Sequence, residues 1–264
     1  MLARYELVDA LGGVNSFEAV KEQVTHVLGM LLLCHSDNLG LRLWAPFVML
    51  RADMDQEGYN YIQWALTNDE INQDNWRDWK KVGLTKPGGK NMNVFEGVEY
   101  LVQTHYGFIH LGTFAAMALL KTKLFLDLYA LQAKRDRSVL SRLNAPRHLL
   151  SLVEPFAPRS PVVRRDNGLL NSTDLTVLLV RLELQIYQLY TCIMLVNKHF
   201  WRVLFNPGDV LENQPSLFGY GSEDEAKFVV GLSYSTWVET PGAMEYIKGK
   251  SASGDWAMPP GVPT

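Results

Sequence analysis

The feature that most limits what this chain can fold into is a row of apolar residues at near-heptad spacing: Leu175, Leu178, Leu179, Leu182, Ile186, Leu189, Ile193, Val196 and Phe200. That period suits a helix with one long apolar face and does not suit the two-residue alternation of a half-buried strand. Read as a single helix from Leu175 to Leu204, it would be roughly 45 Å long, enough to span the molecule. The punctuation further on agrees. Ser222 with Glu225 three residues later is a capping box, in which both side chains satisfy free N–H groups at a helix start. Thr240-Pro241 places a hydroxyl cap before the residue best suited to the first helical position. Upstream, Phe17, Val20, Val24, Val27, Leu28 and Leu31 form one face of a helix entered through Asn15-Ser16. SDNLG then stops it, and Asp37 and Asn38 are expected to cap a helix from about Leu39 to Arg51. Pro46 must kink that helix or sit in its first turn. A tight reversal at Ala52-Asp53 leads into DQEGYNYIQWAL, which makes an antiparallel helical hairpin. No segment carries a strand period. The expected class is all-α.

The 264 residues are 47% hydrophobic and 20% charged, which is enough to build a sizeable core. Thr67 to Asn93 is polar, with PGG at 87–89, and reads as a long loop that Trp76 and Trp79 pin to the body. A long helix is expected from Leu111 to Lys134. Four prolines (146, 155, 158, 161) break the stretch that follows, so the chain divides into an N-terminal lobe (1–133), a Pro/Arg-rich connector (134–170), a C-terminal lobe (171–249) and a disordered tail (250–264). The two lobes are expected to share one core, because 111–134 and 175–204 are too apolar to stand alone.

A net charge of −3 argues against a dedicated nucleic-acid binder. Cys34 and Cys192 lie in apolar helical runs and read as small buried hydrophobes. Glu6 and Asp9 stand where a signal peptide needs an apolar stretch, and the uncharged run Leu184–Asn197 is too short to cross a membrane. The expected location is therefore the cytoplasm or nucleus, without secretion. DMDQEG at 53–58 imitates a calcium loop but carries Trp64 where a bidentate carboxylate is required. His105 and His110 are five apart, too far round a helix to share a metal. No metal, cofactor or catalytic motif is expected from these patterns.

Two charge features remain. From Asp53 to Asp78 there are seven acids and one base, Arg77, interleaved with Tyr59, Tyr61, Trp64, Trp76 and Trp79. From Lys134 to Arg165 there are eight bases against Asp136 and Glu154. An acidic surface with aromatic side chains suits a cationic ligand, and Arg42, Tyr59, Trp64, Trp76 and Trp79 are the candidate binding residues. The basic segment could engage an acidic partner or phosphate. The plainer account is a solvated surface over core tryptophans, or the two regions facing each other within one molecule. If the hairpin reverses at Ala52-Asp53, Arg42 lies beside Trp64, and a guanidinium stacked on the indole would lock the two helices together.

SDNLGLRLWAPFVMLRADMDQEGYNYIQWAL, MALLKTKLFLDL, VNKHFWRVLFNP and GSEDEAKFVVGLSYSTWVETPGAMEYI resemble blocks of a family of fungal proteins often grouped near MYND-type finger proteins. The same blocks are distantly similar to the suppressor-of-tumorigenicity group of tetratricopeptide-like proteins. The resemblance covers about Cys34 to Lys248 and implies TPR-like helical hairpins stacked as a partial solenoid beside the long C-terminal helix, an architecture usually used to bind peptides or proteins. With two cysteines no MYND zinc module can form, and Ala52 departs from the residues usual before the hairpin aspartate. The resemblance implies no catalytic residues. The expected function is a non-enzymatic protein-protein interaction scaffold. The alternative is an enzyme or small-molecule binder between the lobes, in which Asp53, Asp55, Glu57 and Tyr59 would supply acid–base groups if one carboxylate were buried with its pKa raised.

Overall fold

The computed structural model describes residues 2–14, 16–33, 40–67, 92–99, 101, 111–142, 158–215, 217–253 and 256, with the side chains of 64–67 and 137–142 outside that description. The described residues contain eleven helices and no strand: α1 (Leu2–Gly12), α2 (Phe17–Leu33), α3 (Leu41–Arg51), α4 (Asp55–Thr67), α5 (Leu111–Arg142), α6 (Pro161–Arg165), α7 (Asn167–Asn171), α8 (Thr176–Val196), α9 (Phe200–Phe205), α10 (Glu223–Glu239) and α11 (Ala243–Ala252). The fold is all-α.

The first four helices pack in chain order, α1 on α2, α2 on α3 and α3 on α4. Val8, Val20, Val24, Val27, Met30 and Leu41 fill the space between them. A second, larger apolar cluster runs from Phe47 on α3 through α5 and α8 to Ile247 on α11. Its axis is the α5–α8 pair, the most extensive helix contact in the molecule. Leu182, Ile186, Leu189 and Ile193 of α8 are fully buried there, at spacings of four, three and four residues. Burial of each is worth roughly 1.5–3 kcal/mol. At 21 residues with a mean hydropathy of 1.2 over its apolar window, α8 is long and apolar enough to cross a bilayer, because the helix starts at Thr176 and not at Leu184. In this fold one face is seated on α5.

Several local expectations need correction. The apolar row 175–204 is broken at Asn197, which leaves the helical region at φ −152°. The Asn197 side chain donates to Ser222 O (2.8 Å) and Glu225 Oε2 (2.9 Å) and accepts from His199 N (3.0 Å), so a tertiary contact ends α8 and starts α9. Pro46 lies inside α3, and the missing N–H would have bonded Arg42 O. The Tyr61 hydroxyl, 3.4 Å away, donates to that carbonyl from α4. The N-cap of α3 is Gly40 at φ 67°, where an added Cβ would also press within 3.3 Å of Phe228. Asp37 and Asn38 lie outside the described residues. Thr240 closes α10 and does not open α11: its hydroxyl donates to Thr236 O (2.8 Å), and Gly242 at φ 80° stands before α11. Ser222 does accept from Glu225 N (3.1 Å), and Glu225 reaches back to Gly221 N (2.7 Å). Helix α5 runs eight residues past Lys134, and α11 continues to Ala252. Trp256, placed by the sequence reading in a disordered tail, is buried against Tyr187, Tyr190 and Tyr246.

Candidate functional site

Helix α5 reads as a core helix except for one polar band, Lys121, Thr122, Lys123 and Asp127, all buried. Lys123 reaches the turn between α3 and α4. Its ammonium donates to Asp53 Oδ1 (2.7 Å), Asp55 Oδ1 (2.8 Å) and Leu50 O (3.1 Å). The turn is shaped for this contact, since Asp53 sits at φ 56° in the left-handed region that aspartate tolerates better than most residues. The side chains of Lys123 and Asp55 are 6% and 0% exposed, so this is a buried ion pair with Asp53 at its wetter edge. Burial pushes the Asp55 carboxyl above its usual range. Lys123 and the Ser160 hydroxyl act against that, and the Asp53 charge adds to it. Asp55 Oδ2 and Ser160 Oγ are both buried without a hydrogen bond of good geometry. One turn beyond Lys123, Asp127 accepts from Ser160 N (2.6 Å). Burial raises its pKa too, opposed by backbone N–H groups of Ser160 and Arg159.

An open cleft of about 430 Å³, counted out to solvent, lies over this cluster and is lined by Arg51, Asp53, Lys123, Asp127, Arg159 and Glu239 among others. Its charges are largely neutralised from within. Arg51 forms a two-pronged ion pair with Glu239 (2.6 and 2.7 Å) and also donates to Gly12 O (3.1 Å) at the end of α1. Arg159 donates to Glu239 O (3.1 Å). The network ties the ends of α1, α3 and α10 to the middle of α5. Asp53 of the acidic region and Arg159 of the basic segment both line this cleft, but Asp53 pairs with Lys123 and Arg159 donates to the Glu239 carbonyl, so the two do not meet each other.

A separate polar cluster surrounds Lys121, which is fully buried and donates to Val94 O (2.6 Å) and Glu96 O (2.9 Å). Its Nζ lies 5.3 Å from the Tyr59 ring centroid. Burial lowers its pKa to about 7, with Glu96 and Glu99 acting in the other direction. Tyr59 donates to Glu96, and Gln63 donates to Tyr59 Oη (2.8 Å).

The four acid–base candidates therefore do not form one site. Asp53 and Asp55 meet on Lys123. Tyr59, one turn further along α4, is buried in the Lys121 cluster. Glu57 is exposed, because two residues of helix turn it to the face opposite Asp55. Arg42 is half-buried in the first turn of α3. The Trp64 side chain, Trp76 and Trp79 lie outside the described residues, and with them the proposed Arg42–Trp64 stack. The sequence reading did not single out Lys121, Lys123 or Asp127, although two lysines inside the apolar run MALLKTKLFLDL were the available signal. Among the described residues no group of three or more histidine, cysteine or acidic side chains is arranged to hold a metal. The Cys192 thiol is buried, and burial raises its pKa to about 11.

The other polarity of surface is on α8. Opposite the row seated on α5, Val177, Val180, Leu184 and Leu195 are 73%, 61%, 53% and 44% exposed. Their spacing places them in one stripe along the helix. Comparison of the chain with protein-family models, with curated proteins and with solved structures found no match.

Proposed function

We propose that this chain is a non-enzymatic interaction scaffold of helical-repeat type that binds a protein or peptide partner from the cytoplasm or nucleus. The observation that carries the reading is the uncovered apolar stripe on α8, a helix whose opposite face is fixed in the core. Exposed apolar side chains gathered on one helix face mark interaction sites, and here half-buried Gln188 and Thr191 interrupt the row between Leu184 and Leu195. The sequential packing of α1 to α4 supports the helical-repeat part, since stacked hairpins contact chiefly their chain neighbours. The ion pairs in the cleft support the non-enzymatic part. Asp53 and Asp55 already hold an ammonium, that of Lys123, where a cationic ligand would otherwise bind.

One observation favours the rival, an enzyme or small-molecule binder that recognises a cationic ligand. Asp55 is a buried carboxyl with a raised pKa beside an open cleft, a combination frequent in acid–base sites. Pull-down of the tagged chain and its Leu184→Asp variant, with mass spectrometry of proteins and small molecules, separates the readings. The expected result is a protein partner retained by wild type and lost by the variant. A stoichiometric metabolite held equally by both, with no protein, would overturn the scaffold.

A further inference from the structure

We propose that the connection from α9 to α10, residues 206–222, is a docking surface for a basic segment of a partner protein, one that carries apolar side chains among its lysines and arginines. The inference goes beyond the scaffold reading, since it uses no residue of the α8 stripe. Leu217 and Tyr220 are 86% and 79% exposed, more than any other large apolar side chain among the described residues. Between them Phe218 lies against Phe228 of α10, with ring centroids 4.9 Å apart, and is itself 37% exposed. The connection that carries them is fixed at several points. Val210 is buried, Asn213 N donates to Asp209 O (2.9 Å), Ser222 N to Gly219 O (3.1 Å) and Gly221 N to Glu225 Oε2 (2.7 Å). Gln214 lies so close to α10 that a Cβ on Gly231 would come within 2.4 Å of its Nε2. An ordered backbone that holds a leucine in water recovers little burial from it within the fold, and it lowers the ordering cost of binding.

Charge names the partner. Residues 203–226 contain five acids and no lysine, arginine or histidine. Glu223 is taken by Arg202 (2.6 Å) and Lys227 (3.2 Å), and Glu225 by Gly221 N and Asn197. Asp209, Glu212 and Asp224 are exposed and have no ion-pair partner among the described residues. Three uncompensated carboxylates on the same short stretch as the exposed apolar side chains attract a cationic segment, and they repel both anionic lipid and nucleic acid. The exposed ring of Tyr220 suits a guanidinium or ammonium on its face, and Leu217, three residues away, suits an apolar anchor.

Selection of a phage library of random peptides against the full chain tests this. The selected peptides are expected to be rich in arginine or lysine with apolar residues interspersed, and to bind more weakly as salt rises. Leu217→Ser, at the most exposed of these positions and with an unchanged melting temperature, is expected to weaken binding of a selected, fluorescein-labelled peptide by at least about 10-fold in fluorescence polarisation, the scale of one leucine buried at an interface. Asp209→Asn/Glu212→Gln is expected to weaken the same peptide by about 3-fold or more and to flatten its salt dependence. Three outcomes overturn the proposal: a selection that yields no peptide, peptides without basic residues, or binding indifferent to Leu217→Ser. So do Leu217-dependent dimers in sedimentation velocity, which would give the surface to a second copy, and Leu217-dependent flotation with phosphatidylcholine–phosphatidylserine vesicles, which would give it to a lipid surface. Any of these failures beside a Leu184-dependent protein partner in the pull-down refutes this surface alone and leaves the scaffold reading standing.

Discussion

Lys123→Met keeps the length and most of the volume of the side chain but removes an ammonium that three oxygens surround at 2.7–3.1 Å. Asp53 is partly exposed, and water can replace much of what it loses. Asp55 cannot be rescued in that way. Its side chain is fully buried, and Oδ2 already lacks a hydrogen bond of good geometry. Removing one member of a buried ion pair typically costs about 3–5 kcal/mol. Asp55 carries most of that cost, so a loss of roughly 3 kcal/mol is expected, or about 6–12 °C in melting temperature for a chain of this size. Urea and thermal unfolding of wild type and variant measure it.

The pH dependence supplies the sharper check. Without the lysine, the folded-state pKa of Asp55 moves further above its unfolded value of 3.8. The folded variant then binds a proton more tightly than the unfolded chain. Its deficit relative to wild type should be full near neutral pH, shrink as pH falls through the raised folded pKa, and be smallest near the unfolded value. Adding Asp55→Asn to Lys123→Met should recover most of the loss at neutral pH. A Lys123→Met protein that melts with wild type, or whose deficit does not change with pH, would refute the account of Lys123 as counter-ion to a buried carboxylate.

Lys121 predicts a second pH dependence, from about neutral pH upward. Its folded pKa of about 7 lies below the ordinary 10.5, so the unfolded chain binds the extra proton between those values and stability rises with pH across that window. Relative to Lys121→Met, wild type should gain up to about 1.4 kcal/mol per pH unit from about 7 upward, read from urea midpoints; a flat difference would mean that the ammonium stays charged. Trp237, fully buried and edge-on to Trp201 with centroids 5.8 Å apart, should cost about 3–5 kcal/mol on change to alanine, measured by urea unfolding. Ser222→Ala should cost about 1 kcal/mol by the same measurement, as one cap bond does. Glu225→Ala should cost more, because that carboxylate also holds Asn197 and Gly221 N.

The apolar periods of 17–31 and 175–200, the Ser16 and Ser222 caps and the reversal at Ala52-Asp53 were legible in the sequence because each depends on residues within a few positions of one another. Ser16 Oγ accepts from Ala19 N (3.1 Å), and Ser222 Oγ from Glu225 N, both three residues on. The side of the molecule that an acidic residue faces was only partly legible. The helical turn separates Glu57 from Asp55, but nothing near Asp55 in the chain announces that its counter-ion is 68 residues away. Thr240-Pro241 shows the same limit: the local pattern fits a helix start, while its hydroxyl completes the helix before it.

Short-range spacing thus determined that the chain is helical, where most helices begin, and that a long apolar face must be covered. Tertiary structure decided the rest. It broke the C-terminal row at Asn197 because that amide finds Ser222 and Glu225 across the fold. It took two lysines into an otherwise apolar helix because the α3–α4 turn and the 94–96 turn offer them oxygens. It also left the Val177–Leu195 side of α8 in water, since α5 covers only the other face. A charge in a core and an apolar stripe on a surface both depend on which distant segment arrives to meet them, and local sequence does not encode that arrival.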